Sequence, residues 1–276
     1  MPATPAWPPR SAPRLFVPEP IAAGTAVTVD GNAAHYLGKV MRVSAGDAVI
    51  LCDDATGEWA CKVTDVEKRI VTLEPVEKLR EREQVPDFWL CPALLKKDRF
   101  DLVLEKATEL GVRAIRPVVT RRCVADKLNA ERARAIVTEA AEQCARTALP
   151  ELAEPVKLDS LLRDWPEDRA LFFADELGGA PAGEAFVTYS ESLRRQGPQA
   201  GKDPHLDDQA ARGPRLRGGA ALLIGPEGGF DDAERKAIRA HPQARAITLG
   251  PRILRGETAA IAATALWMGT VGDWDA

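Results

Sequence analysis

Two stretches of the chain combine glycine, proline and a few charged side chains at spacings that expose main chain. The first is ALLIGPEGGFDDAERKAI, residues 221–238. Glycines at 225, 228 and 229 accept backbone conformations closed to other residues and let a ligand approach the peptide groups closely. Asp231 and Glu234 have the spacing of a capping box, with Phe230 placed to staple the helix that follows, so the turn before it is left free. The second is ITLGPRILRGETAAIAATAL, residues 247–266, again apolar run, glycine loop and helix. A phosphate-binding GxxxxGK[ST] loop needs a lysine and a hydroxyl, and here Glu227, Asp231 and Asp232 would repel an anion. A GxGxxG dinucleotide fingerprint is also missing. Two glycine loops poor in cations at the turn suit a neutral or zwitterionic nucleoside better than a nucleotide. The alternative is a pair of tight turns that serve only the fold.

Other chemistries find little support. The three histidines, His35, His205 and His241, have no metal partner at useful spacing, and a Ser-His arrangement is equally unsupported. Metal is therefore expected to be absent. Cys52, Cys61, Cys91, Cys123 and Cys144 are odd in number and contain no CxxC pair, which points away from a disulfide framework and toward a reducing cytoplasm. No apolar run approaches the length of a membrane span. Net charge is −4, and neither the first 80 residues nor the remainder is basic, so nucleic-acid binding would have to come from local clusters. Those clusters are Lys39 with Arg42, Arg121 with Arg122, Arg132 with Arg134, and Arg252 with Arg255.

The elements that must position these residues divide near residue 80. After a proline-rich leader, residues 1–13, the runs RLFVP, TAVTVD, DAVILCDD, EWACKVTDV and RIVTLEPV predict a small antiparallel β-barrel over 14–80. Asn32 is the expected cap of a short helix within NAAHYLGKVMRVSAGD, and EKLREREQVPD reads as a linker. Beyond it, strands alternate with helices, which predicts a mostly parallel sheet covered on both faces over 81–276. FWLCPALL, VRAIRPVVT, RALFFAD, ALLIG and ARAITLG are the strands. Asp98 is expected to cap a helix with Phe100, Val103, Leu104 and Ala107 on its buried stripe and Gly111 at its end. Asn129 caps a second helix, with Ala133, Ile136, Val137, Ala140, Ala141 and Cys144 on one face and Pro150 as its stop. Residues 191–219, polar and rich in Gly and Pro, read as a mobile surface insertion.

With the motifs in order, the chain resembles the RsmE family of SPOUT RNA methyltransferases. LLIGPEGGFDDAE and LGPRILRGETAAIAA are similar to that family's two C-terminal motifs. HYLGKVMRVSAGD resembles its PUA-like signature, with Met41 where leucine is more usual, and KKDRFDLVLEKATELGVRAIRPVVTRRC and EAAEQCARTALPEL resemble its central motifs. The leader and the insertion fall outside the resemblance. It implies a trefoil-knotted α/β SPOUT domain behind a PUA-like β-barrel, a homodimer, and methylation by S-adenosylmethionine of N3 of a uridine in 16S rRNA of the small subunit, the m3U1498 site. The rivals are a SPOUT enzyme acting on another RNA such as tRNA, and a non-catalytic RNA-binding module. By the same resemblance the cofactor is held around Ile224, Gly225, Pro226, Glu227 and Gly228 and around Leu249, Gly250, Ile253 and Leu254. Arg255, Glu257, Thr258 and Ala259 line the third loop, and the Ala-rich helix after Glu257 is the expected dimer seam.

Methyl transfer to a uracil N3 needs orientation, removal of one proton and stabilisation of charge on the carbonyl oxygens. Arg146 and Arg255 are the candidate catalytic guanidiniums, although Arg146 also stands at helical spacing from Glu142 and would suit a salt bridge. Glu227 and Glu142 are the candidate proton acceptors. RNA docking falls to Lys39, Arg42, Arg121 and Arg122.

Overall fold

The computed structural model describes residues 7–195 and 219–274. Two compact units emerge: one runs to Gln84 and includes Val137–Leu149, the other takes Val85–Ile136 and Pro150 onward. Residues 137–149 thus group with the N-terminal strands. The reasons are local: Glu142 accepts the Phe16 N–H at 2.7 Å, Arg80 donates to the Ala145 carbonyl, and Glu83 accepts the Thr147 N–H at 2.7 Å.

The first unit holds β1 (Arg14–Phe16), β2 (Val27–Asp30), α1 (Gly31–His35) running into a π-helical stretch (Tyr36–Met41), then β3 (Ala48–Asp53), β4 (Gly57–Val66) and β5 (Ile70–Arg80). The strands form one sheet in the order β1-β3-β4-β5-β2. Its core alternates along the strands, as a half-buried sheet requires: Val49 and Leu51, Cys61 and Val63, Val71 and Leu73. Three expectations are corrected here. The sheet is not wholly antiparallel, because β1 pairs parallel with β3; the long connection through β2 and α1 gives the crossover that a parallel pair needs. The helix is preceded by Asp30 in extended conformation rather than capped by Asn32, which already lies inside it. The linker starts later than residue 77, since β5 continues through Arg80.

The second unit contains β6 (Phe88–Pro92), α2 (Lys97–Glu109), β7 (Ala114–Ile115), β8 (Val118–Val119), α3 (Ala130–Cys144, its second half in the first unit), β9 (Glu151–Leu152), β10 (Val156–Lys157), α4 (Leu158–Arg163), β11 (Ala170–Ala174), β12 (Ala180–Pro181), α5 (Ala182–Arg195), β13 (Ala220–Ile224), α6 (Asp232–Ala240), β14 (Ala244–Thr248) and α7 (Gly256–Thr270). Seven strands form a parallel sheet ordered β12-β14-β11-β13-β6-β7-β9, and β8 pairs with β10 apart from it. Successive side chains of β11 serve opposite faces: Leu171 and Phe173 join Leu161, Trp165 and Ile238, whereas Phe172 stacks edge-on against Phe186 and Tyr189. Both faces are therefore covered.

Several boundaries depart from the sequence expectation. VRAIRPVVT splits into β7 and β8 around Pro117, which lacks the N–H to continue a ladder. Lys96, not Asp98, precedes α2, and Asp98 sits in its first turn. Asn129 does accept the Arg132 N–H at 2.9 Å, but Cys144 is exposed at the end of α3, where Ala145 turns left-handed. Residues 191–195 belong to α5 rather than to an insertion, and residues 196–218 lie outside the described chain.

Candidate cofactor and active site

The order of the parallel sheet creates a crevice. β11 lies between β13 and β14, so the loops after these neighbours leave on opposite sides of it, and ligands of open α/β sheets bind at such switch points beyond the carboxyl ends of strands. A cavity of about 480 Å³ opens there. Its wall is made by Ala174–Glu176 after β11, by Ile224–Glu227 with Gly229 and Phe230 after β13, by Ile247–Gly256 after β14, and by Arg99 and Ala259. The lining mixes apolar side chains (Ile224, Leu249, Ile253, Leu254) with the peptide groups of two glycine loops.

Local chemistry fixes those loops. Asp231 accepts the Glu234 N–H at 2.7 Å and Glu234 accepts the Asp231 N–H at 3.1 Å, completing the capping box read from the sequence. The Glu234 bond to Asp231, with help from the Arg121 guanidinium at 3.0 Å, holds the Asp231 carboxyl below its ordinary range. Glu234 also accepts the Arg121 N–H at 2.8 Å, and Arg122 donates to the Gly228 carbonyl at 2.9 Å. The two glycine loops then meet at Gly256, where an added Cβ would lie 3.0 Å from Leu95 and 3.3 Å from the Gly225 carbonyl. At Gly250 a φ of +105° reverses the chain, a conformation that glycine adopts without steric cost.

Charge on the wall is organised in pairs. Arg99 lies 3.2 Å from Glu227 and 3.7 Å from Glu257, whose Oε2 is buried without a hydrogen-bond partner among the described residues. Asp175, wholly buried, binds Arg235 at 3.1 Å and Arg239 at 2.7 Å. Arg252 and Arg255 are exposed on the rim. Sequence reading missed Arg99, Asp175 and Glu176. The only signal for Asp175 and Glu176 was their place at the carboxyl end of a strand; Arg99 looked like any charged residue of a helical first turn.

Comparison with known proteins gives this geometry a family. An RNA methyltransferase domain model matches residues 81–268, and an RNA methyltransferase PUA domain model matches residues 29–76. The ribosomal RNA small subunit methyltransferase E of Synechocystis sp. is 31% identical over 91% of this chain and 76% of its own. The chain belongs to the RsmE family of RNA methyltransferases. The Rickettsia conorii protein of the same name is 25% identical over 91% of this chain and 93% of its own. Two solved structures superpose with TM-scores of 0.76: a methyltransferase of Legionella pneumophila in complex with the cofactor SAM, 28% identical, and the Neisseria gonorrhoeae ribosomal RNA small subunit methyltransferase E bound to S-adenosyl methionine, 26% identical. Each match covers 95% of this chain and 99% of the other.

In this RsmE-family chain most of the expected cofactor residues share the cavity wall, including Ile224, Gly225, Glu227, Leu249, Leu254 and Arg255. Gly228, Glu257 and Thr258 do not line it. Gly228 faces Arg122, whose Cβ would lie 3.3 Å from a Cβ added there; Glu257 turns toward Arg99, and Thr258 is exposed. Arg146 is also absent from the wall. It is buried in the first unit, just beyond the end of α3 at Cys144, and its Nε is 3.8 Å from Glu83. Burial lowers its guanidinium pKa. Glu142, bound to the Phe16 N–H, has its carboxyl pushed up by burial.

Lys39 and Arg42 are exposed at the end of the π-helical stretch, flanking Val40 (61% exposed) and Met41 (38%). Arg121 and Arg122 are exposed but spend hydrogen bonds bracing the 228–231 turn. His205 lies outside the described residues. Among the described residues no group of His, Cys, Asp and Glu is arranged to hold a metal ion, and no helix is long and apolar enough to cross a membrane.

Proposed function

We propose that the chain transfers a methyl group from S-adenosylmethionine to N3 of a uridine in 16S rRNA of the small ribosomal subunit, the m3U1498 position, in the cytoplasm. The observation that carries this reading is the cavity at the β11 switch point, walled by peptide groups and apolar side chains in a chain of this family. Its size is that of a nucleoside-containing ligand. The absence of a lysine from its glycine turns suits a cofactor without phosphate. The names of the relatives and the cofactor in the two solved structures support the same assignment.

S-adenosylmethionine, when bound, supplies a methyl already activated by a positive sulfur. The protein's own work is orientation, deprotonation and charge stabilisation. Leu249, Ile253 and Leu254 offer apolar contact for a base, while the peptide groups of Gly225–Glu227 and Leu249–Gly250 offer donors and acceptors. Arg255, on the rim, is the guanidinium assigned to the developing charge on the uracil oxygens. Arg146, buried in the first unit beside Glu83, stays the alternative guanidinium for that charge. Of the two acids considered for the N3 proton, Glu227 lies on the cavity wall, and this placement supports it as the acceptor. Lys39 and Arg42 are assigned to RNA phosphates.

The chain's path supports the knotted reading of the second unit: it crosses from β13 over β11 to β14 and returns to pack α7 against β13 and β6. The five strands of the first unit are read as a PUA-like barrel, and the working form as a homodimer.

The deciding experiment is transfer of labelled methyl from S-adenosylmethionine to purified small subunits lacking their native uridine methylation, followed by nucleoside analysis. The expected product is 3-methyluridine. A different methylated nucleoside, or transfer only to tRNA, would retain the enzyme class and overturn the substrate.

A further inference from the structure

Three carboxylates stand on the cavity wall, and they differ in how much acceptor capacity is already spent. Asp175 Oδ1 accepts the Leu177 N–H at 3.0 Å and Arg235 Nε at 3.1 Å, while its Oδ2 accepts Arg239 Nε at 2.9 Å. Glu227 Oε1 takes Arg99 at 3.2 Å and the Lys96 N–H at 3.5 Å. Among the described residues Glu176 has only the Arg235 guanidinium, 3.7 Å away and beyond hydrogen-bond range, and its side chain is 42% exposed. Its carboxylate lies across the turn that follows β13: a Cβ on Gly229 would overlap Glu176 Oε1, so glycine there, with φ of +66°, makes room for it.

An ionised carboxylate is acceptor-only and needs donors. An adenosyl cofactor presents three sets, the amine of its adenine, the adjacent 2′- and 3′-hydroxyls of its ribose and the α-ammonium of its amino-acid end. Behind Glu176, Arg235 lies among three carboxylates, Asp175, Glu176 and Asp232, and Arg239 adds a second guanidinium at Asp175, so Glu176 already faces a positive charge of the protein's own. Two neighbouring hydroxyls match the two carboxylate oxygens, the same use that dinucleotide-binding folds make of an acidic side chain on a ribose.

We propose that Glu176 recognises the ribose 2′,3′-diol of the cofactor. This rests on the nucleoside reading of the cavity. The test measures affinities of the full-length protein, native and as Glu176→Ala and Glu176→Gln, for S-adenosylhomocysteine and its 2′-deoxy and 3′-deoxy analogues. The native protein is expected to favour the parent compound by about tenfold over either deoxy analogue, as a charge-assisted hydrogen bond predicts. Glu176→Ala is expected to bind all three equally, at the deoxy level, and Glu176→Gln to keep part of the preference. Thermal unfolding of the variants is expected to match the native protein, because the Asp175 bonds that pin the loop remain.

An unchanged parent-to-deoxy ratio in Glu176→Ala would overturn the proposal. If that variant instead lost its preference for the parent over a deaminated analogue, the α-ammonium would be the group recognised. A native protein that binds S-adenosylhomocysteine but ignores the deoxy changes sinks the diol contact alone. A native protein that binds none of these compounds sinks the cofactor reading as well.

Discussion

Asp53 illustrates how a single side chain sets local structure in the first unit. It is 1% exposed, and its carboxylate accepts N–H groups from Ile21 at 2.7 Å and Ala55 at 2.8 Å and both the N–H and hydroxyl of Thr56. Burial alone would raise its pKa, but the bonds from Thr56, Ile21 and Ala55 together outweigh it and leave the carboxyl below its ordinary value. The folded state thus favours the ionised form, so the contribution is complete above the ordinary aspartate pKa, about 4, and is lost as pH falls through the lower folded value. Asp53→Asn, which sets an amide donor against backbone donors, is expected to lose about 2 kcal/mol at pH 7 and to show a shallower acid decline. Urea unfolding at pH 7 and pH 3.5 measures both. Equal acid losses in the two proteins would assign the decline to other groups. At this scale the glycines of the cavity were legible, because a turn needing close approach leaves them as its mark. The carboxylate of Asp175 was not: its partners lie 60 and 64 residues away, and only the strand order brings them to it.

Elements read well where one local rule decides them. The stripe of α2, the Asn129 cap of α3 and the Asp231–Glu234 box of α6 follow from spacing alone. They read poorly where tertiary pairing decides, as in the break at Pro117, the parallel placement of β1 and the extension of α5 to Arg195. Helix α7 combines the two cases. Its low polarity announced burial, and Ala259, Ala260, Ala263, Trp267 and Met268 are buried, with Trp267 stacked 4.1 Å from Phe88. A second face, Thr258, Ala262, Leu266 and Gly269, remains exposed, Leu266 by 38%. The homodimer proposed above would use this face. Leu266→Lys would place a charge at the centre of an apolar seam, where desolvation opposes association, and is expected to convert a dimer to a monomer by light scattering while leaving helix content unchanged. A native protein that is already monomeric would remove the seam.

For the whole molecule, a net charge of −4 opposes a polyanion, so affinity for rRNA must come from where the cations sit rather than how many there are. Several arginines are spent inside the second unit: Arg121 and Arg122 brace a turn, Arg132 pairs with Asp101, and Arg235 and Arg239 hold Asp175. Among the described residues of the first unit, Lys39 and Arg42 stand exposed around Val40 and Met41, with no ion pair to release before meeting a phosphate. Binding through few phosphates predicts a shallow dependence of affinity on salt. Each lost contact reduces the slope of log K against log salt by about 0.7 for single strands to 0.9 for duplex. Lys39→Ala with Arg42→Ala is therefore expected to lower the slope for small-subunit RNA by about 1.4–1.8 and to weaken binding, while leaving S-adenosylhomocysteine affinity unchanged. An unaltered slope would move the phosphate contacts to the rim arginines, Arg252 and Arg255, and a loss of cofactor affinity would mean that the pair supports the second unit rather than the RNA.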